Sequence, residues 1–209
     1  MDMPIMSEKE MDELAKTIAN QGSLALHEKH PDLVQLRISL NWDPVALSGH
    51  AVDMDLGALL LTAEGKVRSA ADFVFYNQPK SPAGSVRHLG DSRRGENAGD
   101  DEVLLIDLSQ VTLDIERVAI VASIHKGNER KQNFGLVRGA SVQLLNEGKG
   151  GELITKLDLS EDVALASAAV IGELQRRQKG NTRDWTYVRM ALGDEGGLAN
   201  LLLDYGLAS

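Results

Sequence analysis

The chain has no cysteine among its 209 residues, and that one absence removes disulfides, thiolate metal sites, iron–sulfur clusters and cysteine nucleophiles together. Aromatic residues make up only 4%, which leaves few platforms for stacking on bases or sugars. Basic residues are outnumbered, 22 against 31 acidic, and the net charge of −9 gives none of the positive face that phosphate backbones require. No apolar run approaches the ~18 residues that span a bilayer. The amino terminus carries Asp2, Glu8, Glu10, Asp12 and Glu13 without a long apolar core, so it does not read as a signal peptide. A soluble, cytoplasmic protein with no nucleic-acid partner is expected. Hydrophobic residues at 43% and charged residues at 25% suit a globular domain that buries a full core.

What the chain does have is acid, concentrated in one loop. Gly90 to Glu102 holds five carboxylates (Asp91, Glu96, Asp100, Asp101, Glu102) and three glycines, directly before the apolar run Val103 to Leu108. Like charges that close repel unless something positive sits among them, and glycine lets the backbone turn its oxygens towards one point. Hard oxygen donors without sulfur or imidazole are what calcium selects. The helix–loop–helix calcium motif nevertheless fails. In its register of about 12 residues from Asp91, the third position is Arg93 and the sixth is Glu96, where glycine is required. Further oxygen donors stand at strand ends. Asp53 and Asp55 alternate, so in a strand both project from one face, with Val52 and Met54 on the other. Asp43 follows Asn41-Trp42, and Asp72 and Asn77 flank Phe73-Val74-Phe75-Tyr76.

Residues 1–21 read as an extension. Ser7 with Glu10 forms a capping-box pattern, and Met11, Leu14, Ala15 and Ile18 make the apolar stripe of a short amphipathic helix, either packed on the domain or offered to a partner. From residue 22 to 209 the pattern is one of short strands. Leu33–Leu40 alternates apolar and polar, and Val52–Thr62, Phe73–Tyr76, Val103–Leu108, Val118–Ile124, Ala140–Leu145 and Leu153–Leu157 are further runs between Gly, Pro, Asn and Asp turns. The expectation is an all-β sandwich with short peripheral helices. Ala164–Arg177 is ambiguous, since its Ala, Leu, Glu and Gln favour a helix while Ala169–Leu174 suits a buried strand. Trp185–Ala191 alternates as a strand. Gly197–Tyr205 reads as a short C-terminal helix with Gly206 as its cap.

Catalytic templates are missing. There is no Gly-x-Ser-x-Gly elbow, no phosphate-cradling loop and no Gly-x-Gly-x-x-Gly, and the five histidines lack zinc-protease spacing. Two acidic residues suffice for glycoside hydrolysis, but the scarcity of aromatic platforms argues against it.

An ordered set of motifs then accumulates: Lys66-Val67-Arg68-Ser69, Asp72-Phe73-Val74-Phe75-Tyr76-Asn77, Lys80-Ser81-Pro82, Gly90-Asp91, Gly99-Asp100-Asp101-Glu102, Gln132-Asn133-Phe134-Gly135, Asp158-Leu159-Ser160-Glu161-Asp162, Gly172-Glu173-Leu174 and Gly196-Gly197-Leu198. Together they closely resemble the TerD family of tellurite-resistance and stress proteins, from about Gly22 to Gly206. The resemblance implies a calcium-binding β-sandwich with Asp53, Asp55, Asp72, Asn77, Asp91, Asp100, Asp101 and Glu102 in the family's acidic and amide positions. It also implies a strand within Ala164–Leu174. Members of the family are not established enzymes. They are linked to tellurite and other chemical stress, to phage defence and to membrane-associated complexes with other Ter-type proteins.

The expected function is thus a non-enzymatic, calcium-binding stress-response protein acting through calcium-dependent interactions. A metal-independent interaction module and a small-ligand or cyclic-nucleotide binder are the alternatives. Three departures bear on calcium. Ser92 replaces the family's usual asparagine, Arg93 and Arg94 add positive charge, and Lys126 stands where an aspartate is common.

Overall fold

A computed structural model describes residues 22–43, 46–47, 50–90, 102–179 and 182–207. Two antiparallel sheets face each other. The first is six-stranded, in the order β1-β13-β12-β9-β5-β6, and the second five-stranded, in the order β11-β10-β2-β8-β7. In the first sheet these strands are β1 (Ser23–Ala25), β5 (Met54–Leu61), β6 (Phe73–Val74), β9 (Arg117–Ile124), β12 (Ala168–Lys179) and β13 (Thr182–Asp194). In the second they are β2 (Gln35–Asn41), β7 (Val86–Gly90), β8 (Glu102–Asp107), β10 (Ser141–Asn146) and β11 (Glu152–Asp158). The pair β3 (Ala46–Leu47) and β4 (His50–Ala51) forms a separate ribbon. The expected sandwich is present, and the short C-terminal helix covers Leu198–Leu203. Among the described residues no helix is long and apolar enough to cross a membrane.

Burial explains which strands alternate and which do not. On β5, Met54, Leu56, Ala58 and Leu60 join the core between the sheets, while Leu59 and Leu61 belong to a second cluster on the outer face with Phe73, Ala119, Val121 and Leu201. The C-terminal helix and Tyr205 roof that outer face. A strand covered on both sides has no polar face to show, hence the near-continuous apolar runs of β5 and β9. The ambiguous Ala164–Arg177 stretch resolves the same way. Ala169, Ile171 and Leu174 point into the inter-sheet core and Ala168 and Val170 into the outer cluster, so two-sided burial overrides helix propensity.

The β12–β13 hairpin is the longest feature, and its far end is tied down. Arg176 lies 4.5 Å over the Trp185 ring and donates to the carbonyls of Val111, Thr112 and Ile115 at 3.0–3.1 Å. At its centre Gly172 faces Tyr187. A Cβ there would sit 2.6 Å from the Tyr187 ring, its hydroxyl and the Val188 carbonyl. Gly172→Ala is expected to cost about 1–3 kcal/mol or more through overpacking against backbone that cannot yield, read as a lowered midpoint in urea at unchanged m-value.

Candidate functional site

The acidic residues gather where β5 and β8 begin and β9 ends. Asp53 precedes β5 and is exposed, and its carbonyl accepts the His125 backbone N–H at 2.8 Å. Asp55 is the second residue of β5, paired in register with Ser123. Because Met54 and Leu56 point into the core, Asp55 projects from the opposite face, as the alternation predicts. Its carboxyl is pushed up to about 6, first by burial and then by the charges of Asp53 and Glu102, with His125 and His88 pulling the other way. The carboxylate thus feels two like charges, and no described side chain forms a salt bridge to it.

Glu102 opens β8 on the side facing the other sheet, opposite Leu40. Its partner is the buried His88 of β7. The Gly90 N–H donates to His88 Nδ1 at 3.1 Å, which places the ring proton on Nε2, and Nε2 in turn donates to Glu102 Oε2. Scattered in sequence, His88 and His125 are brought to the same acidic group by topology. The signals that could have found them are modest. His88 is the inward residue of a short strand just before the acidic loop, and His125 falls opposite Asp53 once β5 and β9 are paired.

The remaining nominated residues divide. Asp72 sits beside β5 near Leu60, since Phe73 pairs with Leu59. Five residues along a strand separate it from Asp55, roughly 17 Å. Its side chain, 1% exposed, is fully engaged by Arg68. Arg68 donates through Nε at 2.8 Å, Nη2 at 2.5 Å and its backbone N–H at 3.0 Å, and its Nη1 reaches Asp114 at 2.6 Å. Asp72 therefore holds a guanidinium and stands apart from the Asp53, Asp55 and Glu102 group. Asn77 lies exposed in the Phe75–Gln78 turn. Asp91, Asp100 and Asp101 lie outside the described residues, as do Ser92, Arg93 and Arg94. Among the described residues no three histidine or carboxylate groups are close enough to hold a metal ion by themselves.

Beside Asp55 runs an open cleft of about 290 Å³, lined by Tyr76, Ser123, His125, Lys126 and Asn128. Lys126 adopts a left-handed backbone (φ +55°), and the Ser167 hydroxyl donates to Asn128 Oδ1, fixing the loop after β9 against β12. The cleft combines a crowded carboxylate, an ammonium, an imidazole and an exposed tyrosine edge. This set suits the binding of a cation or a small polar ligand.

The family model described as the TerD domain matches residues 14–205. The chain belongs to the TerD family. It is 38% identical over 194 residues to the tellurium resistance protein TerD of Alcaligenes sp., covering 93% of this chain and 98% of that one. It is also 38% identical to general stress protein 16U of Bacillus subtilis, over 91% of this chain and 97% of the relative. A solved structure of a TerD homologue from Streptomyces coelicolor A3(2) superposes with a TM-score of 0.66 at 22% identity, covering 85% of this chain and 99% of that one, which establishes the shared fold. As a TerD protein this chain falls in a family of tellurium and chemical stress resistance, and the resemblance read from its motifs holds.

Proposed function

We propose that this TerD protein is a non-enzymatic calcium-binding stress protein, with the ion at the end of the sandwich where β5 and β8 begin. The observation that carries the reading is Asp55, a half-buried carboxylate held beside the charges of Asp53 and Glu102. An arrangement of that kind is costly without a cation. The donor set fits calcium in kind, being carboxylate oxygen without sulfur. Asp53, Asp55 and Glu102 would contribute from the described residues and Asp91, Asp100 and Asp101 from the loop. Bound calcium would neutralise the acidic group, fix the loop and present a charge-balanced surface to other Ter-type stress proteins in the cytoplasm, including complexes at a membrane.

Calcium added at millimolar concentration is expected to raise the melting temperature, and a chelator to reverse the rise, because a ligand that binds only the folded state stabilises it by mass action. Calorimetry should give heat of binding for the wild type and little for an Asp100→Ala/Asp101→Ala variant. An unmoved transition together with absent heat would rule the reading out. A second reading is favoured by Lys126, whose ammonium lines the same cleft as Asp55. In that reading fixed positive charge replaces the ion, and the chain is a metal-independent interaction module whose partner binding survives chelation.

A further inference from the structure

One concave surface has a sign opposite to the net charge of −9. It is an open groove of about 350 Å³ between β1, an edge of the six-stranded sheet, and β11, an edge of the five-stranded one. Lys29, Lys156 and Arg189 line it, and no described acidic residue does. Among the described residues Arg189 is paired with Asp162, while Lys29 and Lys156 have no ion-pair partner. Two ammonium groups thus stand uncommitted at one place on an acidic protein. Tyr187 supplies a second, independent observation. It stands on the inward face of β13, paired in register with Leu24 and Leu174, and only 3% of it is exposed. Its ring belongs to the core between the sheets, where a buried hydroxyl normally finds a partner. This hydroxyl has none among the described residues, yet Tyr187 lines the groove. Burial pushes the phenol up from its ordinary value, so it stays protonated and offers an O–H. Gly172 makes the room for it, since a Cβ there would lie 2.6 Å from the hydroxyl oxygen.

We propose that this groove is a binding site for a phosphate group, held by the Lys29 and Lys156 ammonium groups and by the Tyr187 hydroxyl. A phosphate monoester carries three terminal oxygens and close to two negative charges, which match two cations and one neutral donor. A carboxylate has a single charge and would leave one cation over. The groove is wider than the ion, and Leu24, Ile154 and Leu157 give it apolar walls, so a small organic skeleton fits beside the phosphate. Tyr187 is the one aromatic residue lining it, and with its ring buried there is no platform for a nucleobase. The skeleton it suits is therefore of sugar type. β13 lies three strand spacings from β5, roughly 14 Å, so this site is separate from the acidic group around Asp55.

Calorimetry on the full chain in calcium-free buffer tests the site, with inorganic phosphate, ribose 5-phosphate and ribose as probes. Heat of binding is expected from both phosphates and none from ribose. Tighter binding of the ester assigns the site to an organic phosphate, and equal binding assigns it to the free ion. Tyr187→Phe is expected to weaken binding by about tenfold, since a hydrogen bond to a charged group is lost. In phosphate-free buffer the same variant should melt no lower than wild type, because its hydroxyl had no partner to lose. Lys29→Ala and Lys156→Ala, both at exposed positions, should each weaken binding by about tenfold or more without moving the transition. Arg87→Ala removes the same charge at the opposite edge of the five-stranded sheet and should leave binding unchanged. Absence of heat from both phosphates overturns the proposal, as does an affinity indifferent to the Tyr187 and lysine substitutions. An equal loss in Arg87→Ala, or a lowered melting temperature in Tyr187→Phe, overturns it too.

Discussion

Asp55→Asn is expected to stabilise the calcium-free protein at neutral pH and to destabilise it, relative to wild type, in millimolar calcium. The asparagine keeps the size and most of the packing of the side chain but removes the charge that Asp53 and Glu102 repel. In the folded protein the Asp55 carboxyl is raised from 3.8 to about 6. A difference of that size corresponds to roughly 3 kcal/mol. The carboxyl keeps partial contact with water, and screening reduces the expected gain to about 1–2 kcal/mol. With calcium present the sign reverses, because the substitution removes a donor oxygen that carries full charge.

The pH dependence provides an independent check. A carboxyl with a raised folded-state pKa favours folding while it is protonated in both states, below about 4, and loses that contribution as the pH climbs through about 6. In chelator, the difference in unfolding free energy between Asp55→Asn and wild type should therefore be small near pH 4, grow between pH 4 and 6, and level off above. Denaturant titrations across that interval measure it directly. A difference that is flat with pH would mean that Asp55 ionises freely, and the electrostatic case for a cation at this end of the sandwich would go with it.

How much of this was legible in the sequence depends on how local each feature is. Period-two alternation and short apolar runs between turn residues are both local signals, so β2, β5, β8, β9, β10 and β11 can be read from their own residues, with bounds that shift by only a residue or two. Asp53 and Asp55 on one face follow from the same periodicity. The five-residue strand Val86–Gly90 is hidden in the sequence because its buried residue His88 is polar and its bulged outward residue Leu89, 49% exposed, is apolar, which inverts the expected alternation. Nothing local announces that His88 meets Glu102. That contact requires the β7–β8 pairing, and the bulge between His88 and Gly90 that turns the Gly90 N–H onto the ring. The helix-like composition of Ala164–Arg177 misleads for a related reason. Alanine and leucine state a local preference, while the two clusters that claim alternate residues of β12 are assembled from the whole chain. Asp72 is the clearest case of a residue whose type is informative and whose role is not. An aspartate beside a strand end suits a cation, and the cation it has is the guanidinium four residues earlier.

That guanidinium makes the strongest stability prediction. Arg68→Ala is expected to destabilise the protein by about 3 kcal/mol or more, because it leaves the Asp72 carboxylate buried with one backbone N–H as its remaining donor. Asp72→Ala removes the buried charge itself and should cost less, since Arg68 is partly exposed and retains Asp114. The double variant should then be more stable than the sum of the two single changes, with a coupling of about 1–3 kcal/mol in a denaturant double-mutant cycle. Calcium should leave that coupling unchanged, since the pair lies roughly 17 Å along β5 from the acidic end. If calcium instead altered the Arg68–Asp72 coupling, the two ends of β5 would have to act as one site, and Asp72 would return to the set of residues that respond to the ion. Measuring the cycle with and without calcium therefore separates a structural ion pair from a ligand, using residues whose chemistry is the same in both roles.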